Sequence, residues 1–235
     1  MREAELLQRL LYRDGLCLII DKPAGLPVHA GPGGGANLEQ YLDALRFGLP
    51  HPPGLAHRLD RDTSGCLVLG RHRKALSRLG KLFQSGGVEK TYWAVTAGVP
   101  TEPEGRIELP LKKVSNRSGG WRMVTEPDGQ AAVTEYRVRG TGNGPSGEGL
   151  AWIECNPKTG RTHQIRVHLA ALGAPLLGDP QYGDKTPGER PLHLLSRAVS
   201  FKLYPNKPPV AAEAPVPPHM RTALKACGWK PDAAS

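Results

Sequence analysis

Apolar residues enter the chain in two different rhythms. Leu6, Leu7, Leu10 and Leu11 recur at helical spacing and predict a short amphipathic helix, which Asp14 and Gly15 break. Residues 16–20 form a compact apolar run instead, and this predicts a strand ending at Asp21, Lys22 and Pro23. Residues 24–27 read as a turn, because Pro fixes φ and Gly tolerates unusual φ. The glycine-rich stretch 31–35 reads as a flexible loop and lacks the Gly-Lys-Ser/Thr ending of a phosphate cradle. A second strand is predicted at 66–69, followed by a helix over 74–83 with Leu76, Leu79 and Leu82 on one side. Arg73, Lys74, Arg78 and Lys81 on that helix read as a solvated face.

Further strands are predicted at 91–96, 131–138 and 150–155, with Gly- and Pro-rich connections. Ile165, His168, Leu169 and Leu172 return to helical spacing, and Gly173 is placed to end that helix in a left-handed cap. The tail 205–218 is proline-rich, and 220–227 resumes a helical pattern that should pack on the same domain. Strands adjacent in sequence and joined by loops favour an antiparallel or mixed sheet. The expectation is an α+β fold with a mixed, mainly antiparallel central sheet and flanking helices and loops. A chain of 235 residues with 39% hydrophobic content is long enough to bury a core as a single domain, 1–235.

Charge narrows the partners. Against 31 Lys and Arg stand 22 Asp and Glu, a formal charge of +9 with a pI near 9.6. Such a surface attracts polyanions, and RNA or DNA is the commonest, because each neutralised phosphate releases a counterion. Cys17, Cys66, Cys155 and Cys227 are scattered without Cys-x-x-Cys pairing, which argues against a zinc knuckle or redox motif and for buried thiols. Arg2, Glu3, Glu5 and Arg9 interrupt the N-terminal leucines, unlike a secretory signal, and no apolar run reaches membrane-spanning length. A cytoplasmic protein is expected.

Two polar clusters carry candidate chemistry. His57-Arg58-Leu59-Asp60-Arg61-Asp62-Thr63-Ser64-Gly65 is dense in charge and immediately precedes an apolar strand, where catalytic groups are often held. Thr63 and Ser64 suit a hydrogen-bonded turn, whereas Asp60, flanked by Arg58 and Arg61, is the candidate catalytic carboxylate. The second cluster, Gly160 to His168, opens a helix. Its histidines do not form a His-Glu-x-x-His pair, so no metal site is expected, and Arg166 reads as a fixed cation able to face a carboxylate.

The first cluster resembles the signature of the RluA-type RNA pseudouridine synthases, which isomerise uridine in structured RNA. Three further stretches resemble the same family in the same order. Residues 17–29 match its opening strand and Lys-Pro-x-Gly-x-Pro-Val-His turn. Glu89-Lys90-Thr91-Tyr92 matches its Lys-x-Tyr motif, and 160–169 its Gly-Arg-Thr-His-Gln-Ile-Arg-Val-His helix, followed by Gly178-Asp179-Pro180-x-Tyr182-Gly183. The resemblance covers about 14–218 and departs slightly at Leu192-His193-Leu194-Leu195, where Ala usually follows His. Many relatives carry an N-terminal S4 RNA-binding domain; here the first motif comes almost at once, so the catalytic domain itself is expected to hold the RNA.

The resemblance implies a fold with a central active-site cleft and a redox-neutral reaction that needs no cofactor. The bond from N1 to ribose breaks, the base turns, and C5 joins the same sugar carbon. An ionised carboxylate must act as nucleophile or base, a role that falls to Asp60. Burial would raise its pKa, so a cation must keep it charged, and Arg166 matches the family's arginine. At about 4 Å and an effective dielectric near 20 such a pair is worth roughly 4 kcal/mol before desolvation. Tyr92 would stack on the flipped uracil, and Arg58 would fill the gap left by the extruded nucleotide. His57, Arg61, Lys90, Arg161 and His163 lie in or beside the matched motifs and are the remaining RNA-binding candidates. The expected partner is ribosomal or transfer RNA, and the expected state is a monomer without metal. Two rivals remain: a metal-dependent phosphodiesterase or kinase-like transferase built on Asp60, Asp62 and His57, which EDTA would inhibit, and a noncatalytic RNA binder, which would have no use for Asp60.

Overall fold

The structure is a computed structural model that describes residues 2–31, 34–115, 120–183 and 190–231; Pro32 and Gly33 of the glycine-rich stretch lie outside them. In chain order the elements are α1 (Glu3–Leu7), β1 (Leu10–Arg13), β2 (Cys17–Lys22), a 3-10 helical stretch (Leu38–Leu45), β3 (Gly54–Leu55), β4 (Ser64–Gly70), α2 (Arg73–Gln84) and β5 (Val88–Ala97). Then come β6 (Glu104–Ile107), β7 (Leu111–Ser115), β8 (Trp121–Thr125), β9 (Thr134–Asn143), β10 (Gly149–Pro157), α3 (Gln164–Ala171), β11 (Leu194–Phe201), β12 (Val210–Glu213) and α4 (Pro218–Ala226). The expected α+β class holds: β4 pairs in parallel with β11, whereas β1–β2, β2–β4, β3–β4, β11–β12, β5–β10, β10–β9, β9–β6 and β7–β8 pair antiparallel. Contacts divide the chain into two compact units, 1–90 with 195–215, and 91–194 with 216–235.

In the first unit β4 is the hub. It pairs antiparallel with β2 from Cys17↔Gly70 to Lys22↔Gly65, with β3 at its far end, and in parallel with β11 at Leu195↔Ser64. All seven residues of β4 are buried. The helix expected across Leu6 to Leu11 ends at Leu7, and Leu10 and Leu11 belong instead to β1, which pairs with β2. A helix that short is marginal by itself, whereas β2 offers backbone partners along its whole edge. Asp14 then closes the β1–β2 hairpin, its Oδ1 accepting the amides of Leu16 and Cys17 at 2.7 and 2.8 Å. Helix α2 forms where expected, capped by His72 Nδ1 accepting from the Ala75 amide, with Ala75 and Leu79 buried. Arg73, Lys74, Arg78 and Lys81 are exposed, as a solvated face requires.

At Gly65 of β4 both the backbone conformation and the space around it exclude a side chain. Its φ is +105°, and a Cβ there would lie 2.2 Å from the Ser196 carbonyl oxygen of the parallel strand. Gly65→Ala is expected to lower stability by about 3 kcal/mol or more, since left-handed strain adds to a backbone clash. An unchanged midpoint in chemical denaturation would show that the strand pair opens without cost.

The second unit holds the antiparallel sheet β5-β10-β9-β6 and a separate two-stranded ribbon, β7-β8. Its core gathers Ala94, Ile153, Ile165, Leu169 and Leu176, so α3 packs with an almost entirely buried surface. Gly173 ends α3 as expected. Its φ is +75°, and the Ala174 amide reaches back to the Leu169 carbonyl in a Schellman closure. The tail ends in α4 in this unit, whereas its unexpected strand β12 belongs to the first unit, where it pairs with β11. All four cysteines are free and buried.

Candidate active site

Asp60 sits on the turn that feeds β4, and its backbone carbonyl accepts the Thr63 amide at 3.2 Å. The residue is half-buried, Arg58 and Arg61 on either side are exposed, and Thr63 and Ser64 are buried. The turn is fastened from below by Lys22, the last residue of β2. Lys22 is fully buried, and its Nζ donates to the carbonyls of Pro23, Leu26 and Arg61 at 2.8, 2.8 and 3.0 Å. Arg61 closes the same junction from outside, its Nε donating to the Gly25 carbonyl at 3.2 Å. The Lys-Pro-x-Gly turn and the Asp60 turn are thus bound to each other by two hydrogen bonds to backbone carbonyls, Lys22 to Arg61 and Arg61 to Gly25.

His57 is engaged within the unit. Its Nε2 accepts the Val68 amide at 3.0 Å, and its ring stacks on Phe83 with centroids 4.4 Å apart. Burial, reinforced by the Lys90 cation, pushes its pKa down to about 3, so the ring stays neutral. Expected as an RNA contact, it is placed to support the strand behind Asp60. Lys90 is half-buried.

In the second unit, α3 presents Arg166 from a buried position. Its Nε and Nη2 grip the carboxylate of Asp179 bidentately at 2.8 and 2.7 Å, and the guanidinium lies 5.0 Å above the Tyr182 ring. Burial would raise the pKa of Asp179, but Arg166 and the amides of Gln181 and Tyr182 hold it below its ordinary value. Asp179 is thus a carboxylate that orients Arg166, one that its sequence position did not single out. Only the Gly-Asp-Pro stretch hinted at it, since nothing in a thirteen-residue separation encodes a side-chain pair.

The rest of the helix motif builds this platform. Gln164 accepts from Thr159 and the Arg161 amide, and donates to the Val133 carbonyl and Thr134 hydroxyl. His168 bridges Thr134 and the Leu109 carbonyl, and burial lowers its pKa. His163 takes a left-handed conformation, φ 53°, at the start of α3. Its Nδ1 lies 2.8 Å from the Tyr182 hydroxyl, which also accepts the Met123 amide. The His163 ring stacks on Trp121 at 5.2 Å, and the Lys113 ammonium lies 4.6 Å from the Trp121 ring. Trp121, 40% exposed on β8, was missed because no pattern marks it, and it joins a cationic ribbon that includes exposed Lys112, Lys113 and Arg122. Arg161 is exposed and donates through Nε to the Ala131 carbonyl. Tyr92, on β5 opposite Cys155, is half-buried against the core. Among the described residues, no group of three or more His, Cys, Asp or Glu side chains converges as a metal site would need. No helix among them is long and apolar enough to cross a membrane.

An α+β scaffold carrying a carboxylate on a buttressed turn, a buried guanidinium on a polar helix and basic aromatic surface suits an enzyme acting on RNA. Comparison with known proteins makes the class definite. Residues 17–171 match the family model described as RNA pseudouridylate synthase. The chain is 45% identical over 216 residues to an uncharacterized RNA pseudouridine synthase of Zymomonas mobilis, covering 90% of this chain and 95% of that protein. It is 35% identical over 236 residues to the ribosomal large subunit pseudouridine synthase D of Xanthomonas campestris, covering 92% and 68%. It spans only 42% of the length of a rice mitochondrial RNA pseudouridine synthase 3, at 39% identity over 77% of this chain. The solved human RNA pseudouridylate synthase domain containing 4 superposes with a TM-score of 0.78 at 27% identity, over 96% of this chain and 95% of that one. The chain belongs to the RNA pseudouridine synthase family, whose members are isomerases.

Proposed function

We infer that this protein converts specific uridines of structured ribosomal or transfer RNA to pseudouridine in the cytoplasm, as a monomer and without cofactor or metal. The observation that carries the reading is the half-buried Asp60 on a turn tied to the Lys-Pro-x-Gly turn by two hydrogen bonds, a placement that suits a carboxylate acting on a substrate. In the proposed reaction the target nucleotide is extruded, because a stacked base is out of reach. Asp60 acts as nucleophile or base while the N1 to ribose bond breaks. Tyr92 stacks on the uracil, Arg58 fills the vacated place in the RNA, and Arg166, oriented by Asp179, is the cation that keeps Asp60 ionised.

Exposed Arg58, Arg61 and Arg161 supply positive charge for phosphates, with half-buried Lys90 beside them in sequence. Trp121, backed by His163 and faced by Lys113, offers a stacking plane with a cation, the combination that holds unpaired bases. The Xanthomonas relative, by its name a ribosomal large subunit pseudouridine synthase, favours large-subunit ribosomal RNA as the first substrate to try.

The test is tritium release from RNA carrying 5-tritiated uridine, followed by mapping of the modified positions. Release from ribosomal or transfer RNA, undiminished by EDTA, is the expected result. No release from total RNA lacking pre-existing pseudouridine, under conditions where the RNA binds, would defeat the reading.

A further inference from the structure

Helix α2 displays charge that its own stability does not call for. Arg73, Lys74, Arg78 and Lys81 are exposed, and no acidic residue occurs in sequence between Asp62 and Glu89. Among the described residues no ion pair joins any of the four. Arg73 and Lys74 stand in the first turn, where the unpaired amides of a helix disfavour cations and where α2 has no acidic residue. Lys74 and Arg78 are four positions apart and Arg78 and Lys81 three, the spacings at which like charges face and oppose each other. Only Lys81, in the last turn, suits the helix dipole. A row of cations that the helix itself disfavours fits an anion from outside.

The opposite side of α2 is fully committed. Ala75 and Leu79 are buried, a Cβ on Gly70 of β4 would lie 2.7 Å from Leu76 Cγ, and Phe83 stacks on His57 with centroids 4.4 Å apart. With its apolar side held against β4 and the segment that leads into the Asp60 turn, α2 cannot insert that side into a lipid surface and has only the basic side to offer. On an α-helix Lys74, Arg78 and Lys81 fall within about 60° of arc and span about 10 Å along the axis. The only aromatic ring of the helix, Phe83, lies against His57, so the bases of an unpaired strand would find no stacking plane on it. A rigid row of charges without rings matches sugar-phosphate backbone, which presents the same surface whatever the sequence.

We propose that the Lys74, Arg78 and Lys81 face of α2 binds the phosphate backbone of a paired RNA stem next to the target nucleotide. The proposal rests on the reading of the chain as an enzyme of structured RNA. The stem would then be held on a helix whose far side touches His57, three positions before Asp60.

The experiment measures binding of wild type, of Lys74→Gln/Arg78→Gln/Lys81→Gln and of a control, Lys202→Gln/Lys225→Gln/Lys230→Gln, which loses the same charge from three other exposed positions. The probes are a stem-loop of large-subunit ribosomal RNA sequence and the same loop as an unpaired strand, titrated from about 50 to 200 mM salt. On the stem-loop, the α2 variant is expected to lose on the order of 100-fold in affinity near 0.1 M salt, and its salt dependence to fall by two to three released counterions, about one per phosphate contact. The control should lose less than about fivefold, and on the unpaired strand the two variants should match. The thermal midpoint of the α2 variant should stay or rise, because like-charge repulsion has been removed. Stem-loop affinity and salt slope equal to those of the control overturn the proposal, as does an equal loss on stem-loop and unpaired strand. A midpoint lower by about 4 °C or more shows that the cations serve the fold, and overturns it too. Wild type that binds neither probe defeats the underlying RNA reading, and the proposal with it.

Discussion

Asp60→Asn is expected to fold, to bind RNA as tightly as the wild type within about threefold, and to form no pseudouridine. The substitution is isosteric, and the local structure of the turn depends on backbone groups: the Asp60 carbonyl accepts from Thr63, and Lys22 and Arg61 tie neighbouring carbonyls. Affinity for RNA comes mainly from cations on phosphates, so removing one negative charge near a polyanion does not weaken it. The chemistry fares differently, because an amide is neither nucleophile nor base at neutral pH. A loss of at least about 10⁴-fold in the single-turnover rate, or about 5.5 kcal/mol of transition-state stabilisation, is the scale for removing such a group. Turnover within tenfold of wild type in a tritium-release assay would show that Asp60 is not the reacting carboxylate.

The second large effect concerns the pair on α3. Asp179→Asn leaves the buried Arg166 guanidinium without its bidentate carboxylate, and breaking a buried pair by removing one partner costs about 3–5 kcal/mol. Arg166→Ala strands Asp179 in the same way and is expected to destroy activity more than it weakens RNA binding. Acid should erase the difference between wild type and Asp179→Asn. The pKa of Asp179 is depressed in the folded protein, so its contribution is complete above its ordinary 3.8 and is lost as pH falls through the lower folded value. Denaturation curves at pH 7 and pH 3 test this, and an equal gap at both would argue against the pair as the source. Arg166→Met combined with Asp179→Leu separates stability from chemistry. The apolar pair should recover much of the lost stability, while the enzyme stays inactive. Recovered activity would remove Arg166 from the reaction.

How far the site could be read from the chain is clearest residue by residue. Asp60 stood out because carboxylate, flanking arginines and a following apolar strand are adjacent in sequence. Helix α3 and its cap at Gly173 were legible for the same reason, since periodicity and a left-handed glycine are local signals. Leu10 and Leu11 misled because leucine spacing suits a helix, yet their place was settled by pairing with β2. Trp121 carried no signal at all, being an isolated aromatic whose meaning comes from His163 and Lys113 beside it.

The order of the motifs, the basic charge and the identities of the candidate groups are properties of the chain alone, because each depends on composition or on residues within a few positions of one another. Tertiary structure decided which charges meet. It set Asp179 against Arg166, placed His57 against Phe83 and the Val68 amide, and buried Lys22 under the turn of Asp60. Ion pairs and buried hydrogen bonds act over a few ångströms in space, and only the folded backbone brings groups thirteen or thirty-nine residues apart to that distance.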